Sequence, residues 1–105
     1  MTPDLDIEQL RANAASAGAL LKALANPDRL LLLCQLSQGE RNVSELEQLL
    51  GIQQPTLSQQ LAVLRREGLV ATRREGKQIH YRISSAEALA VITTLYQLFC
   101  ERGQQ

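Results

Sequence analysis

The stretch from Gly51 to Ile83, GIQQPTLSQQLAVLRREGLVATRREGKQIHYRI, constrains this chain more than any other. It reads as a helix, a glycine stop and two short strands. The helix is expected from Pro55, because proline suits a first helical turn, where its missing N–H has no partner to lose. Leu57, Leu61 and Leu64 recur at spacings of four and three, and Ala62 and Val63 widen that apolar face. The other face carries Thr56, Ser58, Gln59 and Gln60, with Gln54 just ahead of it. These short and medium polar groups can donate to and accept from base edges and phosphates in a major groove. Gly68 is placed to end the helix. Leu69–Thr72 and Gln78–Ile83 then read as strands joined by Arg73-Arg74-Glu75-Gly76-Lys77, a polar tip whose glycine signals a hairpin.

Ahead of this stretch, Ser44 to Leu50 reads as a partner helix. Ser44 is the expected N-cap, Glu47 completes a capping box, and Gly51 makes the turn. Two helices followed at once by a basic hairpin have the layout of a winged helix-turn-helix. Charge supports the same conclusion. The segment Arg65–Arg82 gathers Arg65, Arg66, Arg73, Arg74, Lys77 and Arg82 against only Glu67 and Glu75, in a chain whose formal net charge is zero. A charge run alone is usually a solvated face. Coinciding with a polar helix face and a hairpin, it gives a directed field suited to double-stranded DNA. Gln54, Thr56, Ser58, Gln59 and Gln60 are expected in the major groove, with Arg73, Arg74 and Lys77 on phosphates or in the minor groove.

The flanking segments extend the pattern. Asp4 or Asp6 is expected to cap a first helix with a seam of Ile7, Leu10, Ala14, Ala17, Leu21 and Leu24, spaced as in a heptad. Asn26-Pro27-Asp28 is a strong helix start. The helix it opens, through Leu36, is apolar nearly all round and should be the central buried one. Arg41-Asn42-Val43 is a short connection that could offer the wing a one-residue strand. Ser84 or Ser85 caps the last helix, with one stripe of Leu89, Ile92, Tyr96 and Phe99 and another of Ala88, Val91, Leu95 and Leu98. Two stripes exceed what one neighbour can cover, so the terminal helices are expected to build a symmetric homodimer able to address the two half-sites of a palindromic operator. The fold class is mainly α with a small β-hairpin, a winged helix-turn-helix in the order α-α-α-α-β-β-α. One domain spans 1–105, with the helix-turn-helix at about 44–67, the wing at about 69–83 and the terminal helices at about 5–24 and 85–102.

Composition excludes several classes. No apolar run approaches the ~20 residues of a membrane span, and the start Met-Thr-Pro-Asp-Leu-Asp lacks a basic n-region. A cytoplasmic protein with reduced cysteines is expected. With no Cys-x-x-Cys, no Ser/His/Asp set and no glycine-rich phosphate loop, neither an enzyme nor a cofactor is expected. The single histidine, His80, lies in a strand without ligand partners at metal spacing, so no metal site is expected. Cys34 and Cys100 both have apolar neighbours, as inert core thiols do; at Cys100 the helix C-terminus and Glu101 discourage a thiolate and only Arg102 favours one.

The chain resembles the arsenic-repressor (ArsR/SmtB-type) family of bacterial winged-helix repressors, from about Leu20 to Cys100. Leu24-Ala25-Asn26-Pro27-Asp28-Arg29-Leu30 is similar to the family's L-x-[HN]-P-x-R-L. Ser58–Leu64 with Gly68-Leu69-Val70 is similar to S-x-H-L-x-x-L-x-x-x-G-L-V, with Gln60 standing where the family has His. The wing Arg73–Lys77 and Tyr81 fit as well. The family's metal ligands are missing. There is no Cys-x-Cys in Val43–Glu47, and the last helix has Glu87 and Glu101 but no His. The placing of Cys34 and Cys100, and the run Gly51–Leu61, resemble instead a subgroup that senses reactive sulfur or oxidants. That resemblance implies a Cys34–Cys100 dithiol switch, closed by a small oxidant or persulfide, that weakens operator binding. The residues themselves leave two other readings open: a repressor without thiol sensing, and a protein-interaction module on the same fold.

Overall fold

The computed structural model describes residues 6–101. Its elements are α1 (Ile7–Leu24), α2 (Pro27–Leu36), β1 (Arg41–Asn42), α3 (Val43–Leu50), α4 (Gln54–Arg66), β2 (Val70–Glu75), β3 (Gln78–Ile83) and α5 (Ala86–Tyr96), which runs on into one π-helical turn, Gln97–Glu101. Helices α3 and α4 form the helix-turn-helix and β2–β3 the wing. Local chemistry sets most of the boundaries. Asp6 caps α1 by accepting from the Glu8 N–H, and Asn26 caps α2 by accepting from the Arg29 N–H. Ser85 caps α5 through the Ala88 N–H at 3.0 Å. Asp4 and Arg102 lie outside the described residues.

Three expected boundaries move. Helix α4 begins at Gln54, with Gln53 as an N-cap that makes no side-chain bond, so Pro55 sits one place further in. The capping box of α3 is Asn42 with Glu45, not Ser44 with Glu47. The Asn42 carboxamide oxygen accepts from the Glu45 N–H at 2.9 Å, and the Glu45 carboxylate accepts from the Asn42 N–H at 2.8 Å. Both pairs have the same spacing. Asn42 wins because pairing with His80 in the sheet holds it extended, as an N-cap requires. Finally, β1 is two residues long and makes the sheet three-stranded, in the order β1-β3-β2.

The hairpin is tighter than expected. The ladder runs from Val70↔Ile83 to Glu75↔Gln78, leaving only Gly76 and Lys77 in the turn. Gly76 has φ 64°, which a two-residue hairpin turn needs at its first central position. Arg73 and Arg74 are therefore strand residues, with side chains on opposite faces of the sheet. At the other turn, Gly51 ends α3 in the left-handed region with φ 69°, and Ile52 drops into the core.

The core is one cluster built around α2. Leu32, Leu33, Leu46, Leu57, Leu61, Leu64 and Ile92 are fully buried. Helix α2 touches α1, α3, α4, α5 and β3, as a central helix should, although Leu31 is exposed. The seam of α1 divides: its last member, Leu24, is buried along with Ala23, whereas Ile7, Leu10, Ala14, Ala17 and Leu21 are exposed. Along α5 the buried line is Ala88 and Ile92, one residue from each expected stripe, while Leu89, Tyr96, Leu98 and Phe99 face outward.

Candidate nucleic-acid interface

Burial of Leu57, Leu61 and Leu64 fixes how α4 is rotated. Its opposite side presents Gln54, Ser58 and Gln59 to solvent, with Thr56 half-buried. Gln60 differs from its neighbours. It is half-buried, and its side-chain oxygen accepts from Nη1 of Arg29 at 2.9 Å. A guanidinium can only donate, so Gln60 has its amide N–H groups left to offer elsewhere. With that oxygen engaged by Arg29, a groove-facing role for Gln60 falls to those N–H groups.

The wing cations also divide. Arg73 is held by Glu40, with Nε to Oε1 at 2.8 Å and Nη2 to Oε1 at 2.7 Å, and lies 3.6 Å from Glu75. The Arg73 hydrogen bond keeps the Glu40 carboxyl below its usual range, and Glu40 in turn raises Arg73. Arg73 is therefore already charge-paired within the protein. Arg74 and Lys77 are exposed and take part in none of the ion pairs among the described residues. His80, opposite both Arg73 and Asn42 in the sheet, places Nε2 3.5 Å from Glu75. Sequence reasoning missed Glu40 and the Arg29–Gln60 bond, because both join residues more than thirty positions apart. The only available signal was that Arg29 sits inside a recognisable helix-start motif.

A second locus lies across α2 and the end of α5. Cys34 and Cys100, distant in sequence, line one apolar pocket of about 250 Å³ with Leu30, Ile92, Leu95 and Tyr96. Both are free thiols, Cys34 half-buried and Cys100 exposed. Burial pushes the Cys34 thiol up, and the neighbouring Cys100 adds to that shift. The Cys34 carbonyl is taken by the Ser37 hydroxyl at 2.6 Å.

Residues 26–72, from the cap of α2 through β2, match the family of bacterial regulatory proteins known as the arsR family. The biofilm growth-associated repressor of Xylella fastidiosa (strain Temecula1 / ATCC 700964) is 48% identical over 103 residues, covering 98% of this chain and 90% of that protein. This chain belongs to the arsR family. Among solved structures, reduced HlyU from Vibrio cholerae N16961 superposes with a TM-score of 0.86 at 46% identity, covering 90% of this chain and 99% of that one. The homodimeric winged helix-turn-helix DNA-binding domain of a Mycobacterium bovis protein has a TM-score of 0.76 at 32% identity, over 97% and 93% of the two chains. ArsR-family proteins are DNA-binding transcriptional regulators rather than enzymes, and this chain is one of them. Among the described residues of this ArsR-family chain, no three His, Cys, Asp or Glu side chains come together to hold a metal ion. Among the described residues no helix is long and apolar enough to cross a membrane.

Proposed function

We propose that this chain is a homodimeric operator-binding repressor, released from DNA when reactive sulfur species or oxidants link Cys34 to Cys100. The observation that carries the switch is the shared apolar pocket, which gathers two free thiols from the central helix and the end of the last one. With hydrogen peroxide, the two thiols give up two protons and two electrons, one S–S bond forms, and the peroxide leaves as two waters. A hydrogen polysulfide takes the same two electrons, one sulfane sulfur leaving as hydrogen sulfide; a polysulfide with a second sulfane sulfur can leave that one in the bridge. A direct disulfide requires Cα atoms within about 7 Å; added sulfur relaxes that limit.

The dimer reading rests on the exposed seam of α1 and the outward side of α5, with Ile7, Leu10, Leu21, Leu89, Leu98 and Phe99 in solvent in the single chain. It also rests on the homodimeric M. bovis relative. Cys100 lies on the same helix as part of that surface. Tying it to α2 would therefore shift the seam, and with it the separation of the two α4 helices, which must match one turn of DNA, about 34 Å. A modification moves an equilibrium only by its preference for one shape, so the bridge must fit the non-binding dimer better. The test is operator binding by reduced, peroxide-treated and polysulfide-treated protein. Cys34→Ser and Cys100→Ser are expected to stay bound under both oxidants. Release of the double variant by polysulfide would refute the switch.

A further inference from the structure

Arg29 is the N3 residue of α2, and its guanidinium meets three separate acceptors. Nε donates to the Ala23 carbonyl, Nη2 to the Lys22 carbonyl at 3.4 Å, and Nη1 to Gln60 Oε1 at 2.9 Å. Ala23 and Lys22 belong to the last turn of α1, where the helix dipole is negative; the Lys22 carbonyl also accepts from the Ala25 N–H of the C-cap at 3.3 Å, so Arg29 Nε on Ala23 is the main contact to this helix end. A planar guanidinium with donors in a fixed fork can serve all three acceptors at once; an ammonium cannot hold that geometry.

What surrounds this contact gives it weight. The ends of α1 and α4 are separated by a cleft of about 420 Å³, lined by Ala19, Lys22 and Ala23 from α1, by Val63 and Arg66 from α4, and by Arg29. Helix α1 packs chiefly on α2. Across the cleft, the α1 wall offers only two alanines and the charged Lys22, which leaves little apolar packing to hold α1 and α4 at a set separation. Arg29 joins the two helices beside that gap, with two bonds to α1 and one, to Gln60, on α4.

We infer that Arg29 is a positioning residue that ties the dimerisation helix α1 to the recognition helix α4 and so sets the half-site spacing the dimer accepts. This rests on the homodimeric, DNA-binding reading above. A side chain that only stabilised the fold would change melting temperature and affinity for every duplex alike. A strut between the dimer seam and the reading helix changes which spacing is preferred.

The test uses the full chain and two variants, Arg29→Lys and Gln60→Met. Wild type first enriches its preferred half-site from a pool of randomised duplexes. Affinity is then measured on duplexes carrying that half-site twice, with the separation changed by single base pairs. Wild type is expected to lose about tenfold in affinity for one base pair added or removed. Both variants are expected to narrow that loss to within about threefold while keeping wild-type dimer mass and circular dichroism. If Arg29→Lys fails to fold, Gln60→Met decides alone, since it removes one bond and leaves the α1 contacts in place. Variants that keep the wild-type spacing preference, or change only the preferred base, overturn the inference. A wild-type chain that enriches no sequence overturns the DNA-binding reading and this inference with it, and is told apart because the failure precedes any variant.

Discussion

Leu21→Ala tests the dimer seam most directly. Leu21 keeps 58% of its surface exposed in the single chain, on the outer line of α1. Fully burying a leucine is worth about 1.5–3 kcal/mol. Covering the part still exposed is therefore worth about 1–2 kcal/mol per copy. A two-fold interface uses each residue twice, so truncation should cost about 2–4 kcal/mol per dimer. At 1.4 kcal/mol per tenfold, the dimer dissociation constant should rise by roughly thirtyfold to several hundredfold. Sedimentation velocity over a dilution series reads this directly. Leu31→Ala is the control, since Leu31 is 46% exposed but lies on α2 and not on either terminal helix. If Leu31→Ala weakens the dimer as much as Leu21→Ala, or if neither changes it, the assignment of α1 to the interface is wrong.

Other outcomes follow from the same geometry. Arg74→Ala should lower the salt slope of DNA binding by about one per subunit, Arg73→Ala by less, and Glu40→Gln should steepen it by freeing Arg73; equal slopes for all three would show that the pairing does not govern the wing. Arg73 holds Glu40 below the usual carboxylate range, so their contact is complete above about pH 4.3 and is lost as pH falls through the depressed value. Hydrogen exchange at the wing should rise in that acid window in wild type, and be raised without that pH dependence in Glu40→Gln. Cys34 is half-buried and its thiol is pushed up by burial, whereas Cys100 is exposed, so Cys100 should alkylate first at pH 7. Its fold contribution is complete below the unfolded thiol value of about 8.5 and declines as pH rises; mass spectrometry finding Cys34 labelled faster at pH 7 would refute this. Leu32→Ala, emptying a fully buried site, should cost about 2–5 kcal/mol in denaturant unfolding.

The winged helix-turn-helix was legible because each of its parts is a local pattern. Leu57, Leu61 and Leu64 set the face of α4 by spacing alone. Asn26-Pro27 starts α2 by satisfying or omitting donors that lie within one turn, and Gly51 and Gly76 mark turns that need positive φ. Where two local patterns competed, as Ser44 with Glu47 against Asn42 with Glu45, sequence could not choose. The sheet chose, by holding Asn42 extended beside His80. The polar chemistry of the site was also decided in three dimensions. Gln60 and Arg73 read as DNA contacts along the chain, and their internal partners, Arg29 and Glu40, reach them from other elements. Cys34 and Cys100 share a pocket only because α5 crosses α2 and ends in a π-turn. Hydrophobic spacing and caps act within a few residues and so are written in order along the chain. Hydrogen bonds, ion pairs and paired thiols act through space, and only folding brings their partners within reach.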